Sequence, residues 1–299
     1  MSSQYFQCLS STLDGVAREL ASRGIQPPRL AFGGEGPAVR GKQRVPADAR
    51  SEFLANRAMG DWAEGVLNRA IQAALPEWRV AQYGNTDKIA AGHPDFKAHY
   101  LAGMEETRQF GKRPDLLLFP VGLAVADDLS EQGHAETESL VKQAVAAIEV
   151  RSSKFEALKY MAVRQKQRDE GNKSGRDTPN FTVKVEDLVI VYRWLERHRV
   201  PQSYCQVFFD SVFAINFLEI FAVIASGSGF SIESPAKSQE KATIMIPITC
   251  GQQVGTATSL PSFVAEHHVT QLGRHDAYVV PKGGGFELDG AAMKRVLLS

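Results

Sequence analysis

Residues 113 to 154 read RPDLLLFPVGLAVADDLSEQGHAETESLVKQAVAAIEVRSSK. Two short apolar runs lie in this stretch, Leu116 to Phe119 and Ala144 to Val150, and each has a carboxylate at one end. Asp115 opens the first run and Glu149 stands in the tail of the second. Short apolar runs between turn-prone residues read as buried strands, and if the two are neighbours their carboxylates meet. Arg151 follows Glu149 by two residues, so a strand would place both on one face. Two oxygen donors with a cation beside them suit a hydrated Mg²⁺ and a phosphate under attack.

Charge is distributed unevenly around this pair. Residues 121–141 hold five acids and no Lys or Arg, whereas residues 151–176 hold eight Lys or Arg against three acids. The second segment is positioned to touch phosphate. The whole chain of 299 residues has a formal charge of zero, which argues against a protein that coats nucleic acid by bulk electrostatics. A 43% hydrophobic content is enough for a sizeable core, and a soluble, cytoplasmic protein is the expectation. Apolar runs such as Ile215 to Ala225 are too short and too interrupted to span a bilayer, and no membrane partner is expected. Cys8, Cys205 and Cys250 are few and far apart, so they are read as buried thiols rather than a disulfide framework.

Working outward, Leu9, Leu13, Val16 and Leu20 recur at the spacing of one helix face, and Gly24 with Pro27 and Pro28 ends that helix. Gly33 to Gly36 forms a loop without the Lys-Ser/Thr of a phosphate-binding loop. The spacing predicts a helix over Ser51 to Leu75, on whose apolar face Glu64 lies with Leu67 and Ile71. A carboxylate there needs a cation partner, either a side chain or a metal. A strand over Trp78 to Tyr83 and a helix over His93 to Phe110 lead into the organising stretch. After it come a basic helix over Phe155 to Glu170, a helix over Glu186 to His198, a strand over Tyr204 to Phe209 and a helix over Asn216 to Ala225. Thr243 to Thr249 and Ala277 to Val280 read as extra strands, with glycine-rich turns at Gly251 to Gly255 and Gly283 to Gly285. His267, His268 and His275 have no metal-ligand spacing, and Gly227-Ser228-Gly229 lacks the pattern of a nucleophile elbow.

Pro114-Asp115 followed by Glu149-Val150-Arg151 resembles the active-site signature of the PD-(D/E)XK nucleases. Three further stretches resemble type II restriction endonucleases of the AccI and AgeI kind: Gln82 to Asp87, Phe181 to Lys184 with Glu186 and Asp187, and Gln206 to Asp210. The resemblance covers roughly residues 50 to 225. It implies an α/β fold with a central mixed sheet flanked by helices in the order α-β-β-β-α-β; the residues outside it read as an N-terminal helical extension over residues 1–50 and as extra C-terminal strands within a nuclease domain over 51–299.

For the chemistry the resemblance implies Mg²⁺ held by Asp115, Glu149 and Glu64, with double-stranded DNA as substrate. It also implies a homodimer matched to a short palindromic site, and a cognate DNA methyltransferase as genetic partner. Arg151 stands where the family has Lys. Arginine stays charged, so it can clamp but not share a proton, and Lys184 and Lys154 are the candidates for the lysine's role, with Lys184 preferred because it ends a short β-prone run. Lys154, Arg164, Arg168 and Arg176 are the expected DNA contacts; Arg164 and Arg168, four apart on a helix, would present themselves together to base edges. Two alternatives remain open on the same fold: a nuclease without sequence readout, and a catalytically decayed DNA-binding protein.

Overall fold

A computed structural model describes residues 3–25, 51–84, 95–172, 175–233, 242–269, 273 and 275–299. In chain order the elements are α1 (Ser3–Ser22), α2 (Ser51–Ala74), β1 (Trp78–Gln82), α3 (Phe96–Phe110), β2 (Leu116–Pro120), α4 (His134–Val141) and β3 (Ala146–Ser152). They continue with α5 (Ala157–Asp169), β4 (Asn180–Lys184), α6 (Val185–His198), β5 (Gln202–Val207), β6 (Ser211–Asn216) and α7 (Phe217–Ala225). The chain closes with β7 (Ser231–Glu233), β8 (Thr243–Pro247), β9 (Gln252–Ser259), β10 (Ser262–Val269), β11 (His275–Lys282), β12 (Gly285–Leu288) and α8 (Gly290–Leu298).

Seven strands form the main sheet in the order β1-β2-β3-β5-β6-β9-β12. The β3–β5 pair is parallel and the other pairings are antiparallel, so the sheet is mixed. The single parallel step needs a crossover, and α5, β4 and α6 supply it. Alternation along the strands feeds two cores. Leu117, Phe119, Ala147, Tyr204, Phe213 and Ile215 face a core shared with α6 and α7, while Leu118, Ile148, Val150, Val207 and Val212 face one shared with α2 and α8. Helices therefore cover both faces, and the restriction-endonuclease-like α/β arrangement expected from the sequence is present.

Several expectations change at this level. Val16 and Leu20 of α1 are buried in the same core as Leu117 and Phe119 of β2, and the helix packs on α7. The stretch from Gly251 to Gly255 is no turn: Gln252–Ser259 is strand β9 inside the main sheet. Its glycines serve close approach, because a Cβ on Gly255 would lie 2.4 Å from Leu288 Cδ2. Strand β6 and helix α8 were not anticipated. Cys205 is buried as expected, but Cys250 is exposed. The Asn85-Thr86-Asp87 part of one family-like stretch, His93 and the Gly33 loop lie outside the described residues.

Candidate active site

Strands β2 and β3 pair with Leu116 opposite Ile148. One residue further along the same register, Asp115 stands opposite Glu149, and Asp115 Oδ2 accepts from Val150 N at 2.6 Å. The end of β1 fixes the Asp115 backbone, because Tyr83 N and Gly84 N donate to its carbonyl at 2.9 and 3.1 Å. Gly84 has a packing reason to be glycine: a Cβ there would sit 3.1 Å from both Asp115 Cα and Oδ1. The Gln82-Tyr83-Gly84 stretch is thus the backstop of the carboxylate.

Glu149 is 1% exposed. Its Oε1 accepts from Lys112 Nζ and lies 3.1 Å from an Arg151 guanidinium nitrogen, and its Oε2 is buried with no hydrogen-bond partner among the described residues. The same arginine donates to Asp187 Oδ2 at 2.6 Å, and Lys112 Nζ lies 4.0 Å from that oxygen. Lys112 reaches the cluster because of the residue before it. Gly111 caps α3 at φ 91°, where a Cβ would lie 2.4 Å from Trp194 N, so the chain runs directly against α6. Lys112 N then donates to Ile190 O at 2.9 Å. That contact holds the lysine between α6 and the strand ends.

Electrostatics mark this cluster as strained by negative charge. Burial, with Glu149 next in importance, raises the Asp115 carboxyl well above the usual carboxylate range. Burial, helped by Asp61 and Glu149, pushes Glu64 up to about 7. Burial opposes the Lys112 ammonium, but Glu149, Asp187 and Asp115 outweigh it and its pKa is raised. Among the described residues Glu64, Asp115, Glu149 and Asp187 gather around Lys112 and Arg151, so acids outnumber bases in the cluster. An excess of negative charge suits a divalent cation. Among the described residues no three His, Cys, Asp or Glu side chains form a ready ligand set. The lone buried Glu149 Oε2 and the two elevated carboxyls nevertheless fit a cation, which would draw Asp115 and Glu64 back to the charged state.

Of the residues singled out in the sequence, Asp115, Glu149 and Arg151 come together, and Glu64 lies within electrostatic reach of the first two. Lys184 is corrected. It ends β4 on a separate three-stranded sheet and is exposed, whereas the lysine at Glu149 is Lys112. The Phe181 to Asp187 stretch is still part of the site, through Asp187 in the first turn of α6. Lys112 could have been suspected from its place three residues before Asp115; nothing in the sequence distinguished Asp187 from Glu186.

The expected DNA contacts fare differently. Lys154 is exposed just beyond β3. Arg164 is buried, and donates to Arg176 O at 3.0 Å and to Gln167 Oε1 at 2.5 Å, so it is corrected from base reader to internal tie. Arg168 is paired with Asp177 at 2.7 Å, and Arg176 pairs with Glu233. The i, i+4 pair does share one helix face, but that face turns onto residues 176–177. The Gln206 to Asp210 stretch also has a structural role. Asp210 accepts from Ala157 N, Leu158 N and Lys159 N at 2.7, 2.8 and 3.1 Å, capping α5.

The family model described as AccI restriction endonuclease matches residues 27–173 and 169–298. The chain belongs to the AccI restriction endonuclease family. The match takes in α2, every strand of the main sheet and α8, so membership extends through the C-terminal quarter, beyond the residues that carry the resemblance in sequence. No curated protein and no solved structure matches the chain. As a restriction endonuclease family member it is a DNA-binding nuclease of the hydrolase class, and the cluster at Asp115 and Glu149 is its candidate catalytic centre. Among the described residues no helix is long and apolar enough to cross a membrane.

Proposed function

We propose that this AccI-family protein is a type II restriction endonuclease that hydrolyses both strands of duplex DNA at a short specific, palindromic site with Mg²⁺. The observation that carries this reading is the buried Glu149 beside Asp115, with one oxygen taken by Lys112 and Arg151 and the other without a partner among the described residues. Asp115, Glu149 and Glu64 would hold the metal. When bound, Mg²⁺ supplies Lewis acidity and acidifies an attacking water. Lys112 and Arg151 hold positive charge where a phosphate would lie, and charge building on its oxygens is stabilised by such fixed cations. Glu149, Asp187 and Asp115 raise the Lys112 pKa against its burial, which suits a clamp. Tyr204, in register with Glu149 and under the Arg151 guanidinium at 5.7 Å, holds that arginine in place.

A homodimer, two copies serving two strands, belongs to the same proposal. Its support is one face of the β10–β11 ribbon. Phe263, Ala265, His267 and Val269 pair across with Pro281, Val279, Ala277 and His275, so these eight share a face without a single Lys, Arg, Asp or Glu. Phe263, Val269 and Val279 are about half exposed. A half-exposed face free of Lys, Arg, Asp and Glu suits contact with a second copy. A cognate methyltransferase that protects the host's own sites completes the proposal.

Digestion of plasmid DNA tests it. Discrete Mg²⁺-dependent fragments are expected, a smear would favour the nuclease without sequence readout, and intact DNA would favour a decayed binding protein. Asp115→Asn and Glu149→Gln should each lower cleavage by several orders of magnitude while DNA binding persists. Near-normal cleavage by either variant would remove the site assignment, and a monomer in sedimentation would remove the dimer.

A further inference from the structure

A cleft of about 570 Å³ opens between α2 and the inner face of the β10–β11 ribbon. On the helix side Arg57, Asp61, Gly65 and Arg69 succeed one another at intervals of four, so they form a single stripe along α2. On the ribbon side stand Glu266, Tyr278 and Lys282. The corner is fixed by Trp62 Nε1, which donates to Gly283 O at 2.8 Å. One element links the cleft to the candidate catalytic cluster: α2 carries both the stripe and Glu64, and Asp61 of the stripe is one of the groups that raise the Glu64 carboxyl.

We infer that this cleft receives the sugar-phosphate backbone of the DNA strand flanking the scissile phosphate, with Arg57, Arg69 and Lys282 as its phosphate contacts. The inference rests on the nuclease reading above. Three cations line the cleft, and its two carboxylates hold cations at its walls: Asp61 lies 4.0 Å from Arg57, and Glu266 lies 3.3 Å from Lys282 while accepting from Tyr278 Oη at 3.2 Å. Held in this way, the cations lose less freedom on meeting a phosphate. Gly65 gives independent support. A glycine in mid-helix is costly, yet a Cβ there would meet only Arg69 Nη1, at an ordinary 3.6 Å, so no packing constraint requires it. What glycine provides is an open floor, against which a bulky backbone can approach the helix. Arg164 of the basic segment after β3 does not compete for this role, since it is buried and engaged within the chain.

The test measures binding of a fluorescein-labelled mixed-sequence duplex over a range of salt, in an Asp115→Asn background to suppress cleavage. Replacing Arg57, Arg69 and Lys282 together by Ala should reduce the slope of log affinity against log salt by roughly 2.7, about 0.9 for each phosphate that is no longer neutralised. Arg168→Ala should leave the slope unchanged. Gly65→Leu favours the helix, so its melting temperature should hold or rise while duplex binding weakens about tenfold or more. An unaltered slope in the triple variant, or wild-type affinity in Gly65→Leu, would overturn the inference and leave the nuclease reading standing. If the otherwise unaltered chain neither binds duplex nor cuts it, both fall together.

Discussion

At Glu149 the energetics of the site turn on a single oxygen. Oε1 accepts from Lys112 and lies against Arg151 in a pocket where the side chain is 1% exposed, so each cation compensates for charge that water cannot reach. Removing one partner of such a pair typically costs about 3 to 5 kcal/mol, because the other charge is left buried. Lys112→Ala is therefore expected to lose both cleavage and stability. Lys112→Arg should recover stability before it recovers rate, since a second guanidinium balances charge but fits differently. Lys184→Ala, at an exposed site on another sheet, should cut DNA like the unaltered protein. Plasmid cleavage and thermal melts on the three variants check this ranking, and a silent Lys112→Ala would show that the clamp lies elsewhere.

Helix α5 shows how an element that looks like a nucleic-acid contact in sequence can be committed to the fold. Its N-terminus is capped by Asp210 from the β5–β6 turn, and its basic face returns to the segment before β4 through Arg164 and Arg168. Arg164 spends donors on Arg176 O and Gln167. Truncating it removes the donors to Arg176 O and Gln167 Oε1 and leaves a gap where its buried side chain lay, although Arg176 O keeps Tyr160 Oη. Arg164→Ala should accordingly lower the melting temperature and reduce activity on all DNA sequences alike. Cleavage of substrates with single base-pair changes would show relaxed discrimination at one position if Arg164 were instead a base reader.

For the molecule as a whole, acid stability depends on a buried imidazole pair that joins α4 to α6. His134 and His198 approach with their Nε2 atoms 3.2 Å apart, beneath the ring of Phe110. Burial, then the neighbouring His134 and Arg197, holds His198 down to about 3; burial and Arg113 lower His134 as well. The unfolded imidazole titrates near 6.5, so below that pH the unfolded chain binds the proton and the folded chain does not. Stability should fall as the pH drops through this window and level off near 3. By pH 5 the loss from His198 is on the order of 2 kcal/mol. Melting curves at pH 7 and pH 5 should thus diverge more for the unaltered protein than for His198→Gln. Equal divergence would mean that the pair carries no such burden.

The sequence alone determined the strand pair and its carboxylates, because a run such as Leu116 to Phe119 has few alternatives to a buried strand and a strand has a fixed period of two. It likewise determined α2 with Glu64 and α6 with its apolar face, where helical periodicity is long enough to read. Short-range pattern could not say which charged side chain meets which. Lys112, Glu149 and Asp187 stand on a loop, a strand and a helix, and only the positive φ of Gly111 and the crossover through α6 bring them to one point. The same holds for β9, whose Gly255 reads locally as part of a turn but answers to Leu288, a residue more than thirty positions away. Burial decided the rest. Arginines identical in a charge count became internal ties when buried, as at Arg164, and remain candidates for phosphate where α2 faces the open cleft, as at Arg57 and Arg69. Desolvation is a property of the packed chain, and no spacing rule encodes it.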